Sequence, residues 1–136
     1  MKKLTLLLTM AITSAILFSA CKKDNPTTTT TAIQKIQAKW IFDKAIFHNV
    51  YPGNNSRDTM PGKPGEYFEF KNNNKAYIFV DAQLDSSNYT LIGDSKIDFE
   101  GDTAIIQVLN DHQLQFKFNE ITSPVEYYEG TYYLKK

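Results

Sequence analysis

The sequence predicts an all-β fold, a small antiparallel up-and-down β-barrel of about eight strands entered through a short N-terminal helical turn. Three observations predict it. From Glu66 onward apolar residues alternate with polar ones at period two, the mark of strands with one buried and one wet face. Clusters of Asn, Asp and Gly separate these runs, and such residues tolerate the left-handed backbone that tight hairpins require. The runs are short and recur about every 8–12 residues, the rhythm of successive hairpins rather than of strands alternating with helices.

The stretch "TAIQKIQAK" carries the one helical signal, because Ile33 and Ile36 can pack a single turn against the end of the barrel. The first strand covers about residues 39–49 and opens with Trp40. The connection from Tyr51 to Gly65, "YPGNNSRDTMPGKPG", is rich in Pro and Gly and reads as a long loop stiffened by Pro52, Pro61 and Pro64. In the next strand, about 66–70, Phe68 and Phe70 point one way while Tyr67 and Glu69 point the other. Further strands are expected at about 76–80, 88–92, 96–100, 103–109, 113–119 and 127–134. The turn-formers "KNNNK", "GDS", "EGD" and "NDHQ" divide them at 71–75, 93–95, 100–102 and 110–113. Ile97 and Phe99 share one face, as do Leu114, Phe116 and Phe118. In the last strand Tyr128, Tyr132 and Leu134 fall on one face and Tyr127 and Tyr133 on the other. Half of these rings therefore face outward, where tyrosine suits a protein interface. Closing eight such strands removes both sheet edges.

The N-terminus reads as an address. Lys2 and Lys3 precede a run from Leu4 to Phe18 dominated by Leu, Ile, Ala and Met, which ends in the small residues Ser19 and Ala20. That is the charged, apolar and small-residue layout of an export signal, and the run is too short and too interrupted by Thr and Ser to span a bilayer. Phe18, Ser19, Ala20 and Cys21 resemble the lipobox of bacterial lipoproteins. The resemblance implies cleavage after Ala20, a thioether-linked diacylglycerol on Cys21 and acylation of the freed amine, typically by a chain such as palmitate. Burial in lipid contributes about 0.8 kcal/mol per CH₂, so two or three chains anchor a protein without a transmembrane helix. Lys22, where an inner-membrane lipoprotein often has Asp, implies the outer membrane of a Gram-negative cell envelope, on its periplasmic face or on the cell surface. Residues 1–20 are thus the expected lipoprotein signal peptide, residues 21–31 the lipidated cysteine with a flexible Thr-rich tether, and residues 32–136 the barrel domain.

Removing Lys2 and Lys3 from the 15 basic residues leaves 13 against 15 acidic ones, a formal charge of −2. No clustered basic face points to nucleic acid. Cys21 is the one cysteine, so no internal disulfide is available and the hydrophobic core must carry the fold.

A helical turn, Trp40 opening the first strand, a long first connection and a run of hairpins resemble the lipocalin-like domains of small bacterial lipoproteins, over most of the chain from Ile33 to Leu134. The resemblance implies that the first connection crosses the barrel mouth. It also implies that a basic side chain near the last strand stacks over the tryptophan, a place open here to Lys135 or Lys136. It further implies a small apolar or amphipathic ligand. The candidate cavity residues are Trp40, Phe42, Phe68, Phe70, Phe99, Phe116 and Phe118, with Arg57 and Lys63 as candidate loop contacts for an acidic ligand end. An eight-stranded barrel is just wide enough either to be packed by its own side chains or to hold one small guest. Two readings of the interior therefore stand: a ligand cavity, or a solid core serving a structural or protein-interaction module with an envelope partner.

The sequence carries no nucleophile elbow, P-loop or dinucleotide fingerprint, so neither an enzyme nor a bound cofactor is expected. His48 and His112 lack neighbours at metal-site spacing, and no metal site is expected either. The carboxylate pairs Asp81 with Asp85 and Glu126 with Glu129 read as solvated loop charges.

Overall fold

The computed structural model describes residues 31–123 and 125–136. Cys21, the expected signal peptide and nearly all of the expected tether lie outside the described residues. Thr31 closes that tether as a helix cap: its side chain accepts from Gln34 N while Gln34 Oε1 accepts from Thr31 N, a reciprocal capping box. The helix it starts, α1 (Ala32–Ile36), is one turn long. Ile36 is fully buried against the barrel end, whereas Ile33 is 37% exposed. The expectation that both isoleucines pack is therefore corrected, since a single turn presents only one of them squarely to the barrel.

The strands are β1 (Lys39–Tyr51), β2 (Asn54–Pro61), β3 (Tyr67–Phe70), β4 (Lys75–Val80), β5 (Gln83–Ile92), β6 (Lys96–Phe99), β7 (Asp102–Leu109), β8 (Gln113–Ser123) and β9 (Glu126–Lys135). From β3 to β9 each strand pairs antiparallel with the next, and β9 returns to β1 from Ile41↔Lys135 to Val50↔Tyr127. With β1 paired to β3, this closes an eight-stranded antiparallel barrel, as the periodicity predicts. Its core and every closing pair lie within residues 31–136.

The ninth strand is a departure. Residues 54–61 are not a loop across the mouth: β2 turns back at Pro52-Gly53, with Gly53 at φ +84°, and pairs with β1 from Tyr51↔Asn54 to Lys44↔Pro61. "NNSRDTMP" shows no apolar alternation because β2 flanks the barrel and covers little of the core. Backbone pairing along the upper edge of β1 makes it a strand.

β2 and β3 lie end to end along that edge, joined by residues 62–66. Gly62 N donates to Asp43 O at 2.7 Å, beside the irregularity in β1 between Phe42 and Lys44. A Cβ on Gly62 would lie 2.1 Å from the Phe42 carbonyl oxygen, so only glycine fits the crossing. Glu66, 4% exposed, accepts from Lys63 N and Asp81 N, both at 2.8 Å, and so ties this connection to the β4–β5 turn.

β5 begins at Gln83, earlier than the period-two run suggests. Asp81 and Ala82 form its two-residue turn, both at positive φ. The usual residues for that geometry are Asn and Gly, which is why "DA" gave no turn signal.

Candidate functional site

Strand register stacks the inward side chains in layers. Phe116 on β8 lies opposite Tyr132 on β9, which faces Ala45 on β1, which faces Met60 on β2. One pleat higher the same four strands present Phe118, Gly130, Phe47 and Asp58, and above these Glu120, Tyr128, Asn49 and Ser56. The lowest layers are thus apolar and the highest polar, a gradient set by period two acting on four neighbouring strands.

The lower end is sealed. Trp40 is fully buried, and its indole N–H donates to Ile36 O at 2.9 Å, fastening α1 under the barrel. Lys136 places its ammonium 4.1 Å from the centre of the Trp40 ring, while Lys135 instead pairs with Asp43 on the outside. Phe42, Phe70, Tyr89, Ile97, Leu114 and Phe116 are buried around the tryptophan. Ring contacts run upward without a break, from Phe70–Phe99 at 6.1 Å to Phe99–Phe116 at 5.9 Å and Phe116–Tyr132 stacked at 5.3 Å. This half of the barrel is filled.

The upper end is open. Above those rings lies a cleft of about 970 Å³. Its floor and walls are Phe68, Phe99, Phe116, Phe118, Tyr128 and Tyr132, with Ile78 and Ser87 opposite. Its rim carries Glu100, Asp102 and Glu120, and among the described residues no lysine, arginine or histidine lines it. The Glu100 carboxylate accepts from Asn88 N at 2.9 Å and Asn88 Nδ2 at 2.6 Å. Burial raises the Tyr132 and Tyr128 phenols above their ordinary value, and the neighbouring Tyr128 and Tyr51 respectively add to it, so both hydroxyls stay protonated at neutral pH.

Gly130 gives this end its width. It is buried between Phe47 and Phe118 in the register, and a Cβ there would meet Phe47 Cδ1 and the Tyr128 hydroxyl, both at 3.4 Å. A larger side chain would displace one of those rings.

The seven predicted cavity residues all face inward but divide between two regions. Phe68, Phe99, Phe116 and Phe118 line the cleft; Trp40, Phe42 and Phe70 belong to the packed lower core. The two predicted loop contacts do not reach the cleft. Arg57 sits opposite His48 on the outer face of the β1–β2 ribbon, and Lys63 pairs with Asp81 outside the barrel. Both placements correct the expectation of a loop across the mouth, because residues 54–61 pair with β1 instead.

Tyr128 and Tyr132 were legible by period two as one face of the last strand, and that face is the cleft wall; Tyr127 and Tyr133 point outward, against His48 and Lys44. Asp102 and Glu120 gave no signal as site residues, since a charge beside a turn usually means solvent. Among the other charges weighed in the sequence, Asp81 pairs with Lys63 and Glu129 with Lys117 at 3.1 Å. His48 hydrogen-bonds Asn55, and His112 lies in the β7–β8 turn at the sealed end. Among the described residues no group of three or more His, Cys, Asp and Glu side chains is arranged to hold a metal ion. No family model, curated protein or solved structure matches the chain.

Proposed function

We propose that the chain is a lipid-anchored lipoprotein of the bacterial outer membrane whose lipocalin-like barrel binds one small apolar or amphipathic molecule without chemically altering it. The observation that carries this reading is the aromatic cleft of about 970 Å³ above a sealed core, a volume within the range of small-molecule sites. An apolar body would rest on Phe99, Phe116 and Phe118, with its polar end at the rim. The lipobox-like run ending in Cys21 supports the anchor, and the Thr-rich segment after it supports a spacer between membrane and barrel.

Native mass spectrometry of residues 31–136, expressed in a periplasm and then incubated with a lipid extract, tests the binding reading. A reproducible extra mass that vanishes on denaturation is expected; a bare polypeptide mass throughout would overturn it. For the anchor, Cys21→Ser in the full chain should leave the barrel folded and release the protein from membranes, and a variant that still sediments with them refutes lipidation at Cys21.

A second reading, a ligand-free structural or interaction module, is favoured by a different observation. On the outer surface Ile41, Tyr67, Phe79 and Leu84 form a continuous apolar row across β1, β3, β4 and β5, with Ile41 and Leu84 largely exposed. A solid-cored barrel docking an envelope protein would use such a row.

A further inference from the structure

The charges of the barrel are unevenly distributed along its axis. Lys71, Lys75, Lys96, Lys135 and Lys136 occupy turns or strand ends at the sealed end, where they outnumber Asp94 and Asp111 in the β5–β6 and β7–β8 turns. Asp85, Glu100, Asp102, Glu120 and Glu126 stand on strand ends or turns at the open end. Among the described residues the cleft lining carries three carboxylates and no cationic side chain. Among the described residues the basic side chains nearest that end, Arg57, Lys63 and Lys117, lie outside the cleft, and Lys63 and Lys117 are already paired with Asp81 and Glu129.

Beneath the carboxylates lie the rings of Phe99, Phe116, Phe118, Tyr128 and Tyr132. Aromatic faces carry negative potential and attract cations, most strongly where water is partly excluded. An anion entering this cleft would meet carboxylates with nothing to offset them. A neutral molecule would gain the apolar contacts alone. An organic ammonium with an apolar body gains three things at once: burial of its body, cation–π contact with the rings, and ion pairing at the rim. The negative field of the open end also draws cations towards the cleft from solution.

We infer that the ligand of this cleft is an amphipathic organic cation, an ammonium group on an apolar chain or ring, with Asp102 and Glu120 receiving its charge and Phe118, Tyr128 and Tyr132 its apolar body. The inference rests on the cleft being a ligand site, and the test separates the two.

Residues 31–136, which contain the closed barrel and its whole core, are titrated with three probes of equal chain length: octyltrimethylammonium, 1-octanol and octanoate. Binding is followed by backbone amide NMR shifts at about 20 mM and about 300 mM salt, concentrations on either side of the screening regime that matters for exposed charges. Octyltrimethylammonium should bind roughly tenfold more tightly than octanol, in keeping with one cation–π contact and one partly screened ion pair, and octanoate most weakly. The preference should shrink at the higher salt. In Asp102→Asn/Glu120→Gln it should fall to about threefold or less, the part left to the rings. Equal binding of the three probes, or a preference for octanoate, overturns the charge inference while the cleft remains a ligand site. Binding of none of them, with no shifts at Phe118 or Tyr132 up to saturation of the probes, overturns the cleft reading and this inference with it.

Discussion

Replacing Trp40 with alanine removes the largest fully buried side chain in the barrel and, with it, the fastening of α1. Truncating a buried tryptophan costs about 3–5 kcal/mol, the sum of lost transfer energy and the cavity left behind. Trp40→Phe separates the parts. It keeps most of the ring packing and loses the indole N–H, leaving the buried Ile36 carbonyl without its donor at a cost of about 1–3 kcal/mol. Lys136→Ala removes the cation that covers one face of the ring and should cost about 0.5–1 kcal/mol in the native background. In the Trp40→Ala background it should cost nothing measurable, because its partner is gone. Urea unfolding of residues 31–136 followed by far-UV circular dichroism is the assay, since Trp40 is the single tryptophan and its fluorescence is lost in both Trp40 variants. A loss below about 1 kcal/mol for Trp40→Ala, the size of an ordinary surface effect, refutes the claim that this ring seals the barrel.

Other parts of the fold yield sharper local tests. Gly62→Ala forces a methyl group to within 2.1 Å of the Phe42 carbonyl oxygen, so β1 and the 62–66 connection must part; destabilisation of about 1–3 kcal/mol or more is expected by thermal unfolding, and an unchanged midpoint contradicts the crossing. Glu66→Ala removes the acceptor of two backbone donors and should cost about 2–4 kcal/mol, with Glu66→Gln, which retains one acceptor oxygen, losing about half of that; equal losses in the two variants would show that the second bond contributes nothing. Burial raises the phenols of Tyr89, Tyr128 and Tyr132, so the folded chain holds these protons more tightly than the unfolded one. Their contribution to stability is complete below about pH 10, the unfolded value, and is lost as pH rises through the higher native values. Phenolate absorbance should accordingly show these three of the eight tyrosines ionising last, together with unfolding; simultaneous ionisation of all eight in a barrel that stays folded contradicts their burial.

The strand faces of this protein were written locally. Phe68, Phe70, Ile97, Phe99, Leu114 and Phe116 alternate with polar neighbours, and all six are buried on the inside of the barrel. The "EGD" turn was equally legible: Glu100 and Gly101, at φ +56° and +110°, make the two-residue connection between β6 and β7. Period two and turn chemistry act over a few residues, so one chain suffices to read them. β2 is the opposite case. Nothing in "NNSRDTMP" asks to be a strand, and it becomes one because the far edge of β1 offers unpaired N–H and C=O groups across a Pro-Gly turn. Likewise Ala82 gave no hint of the turn it makes, since the pairing of β4 with β5 holds it at a φ that alanine seldom adopts.

The division of the inward aromatics is the other outcome that tertiary structure decided. By sequence Phe70 and Phe118 are alike, each a phenylalanine on the apolar face of its strand. Phe70 packs edge-on against Tyr89 in the sealed half, whereas Phe118 stands beside Gly130 at the foot of the open half. Alternation says which way a side chain points, but depth along the barrel axis depends on the stagger between strands and on closure of β9 onto β1. Those are set by pairing between residues far apart in the chain, and a local pattern does not encode them.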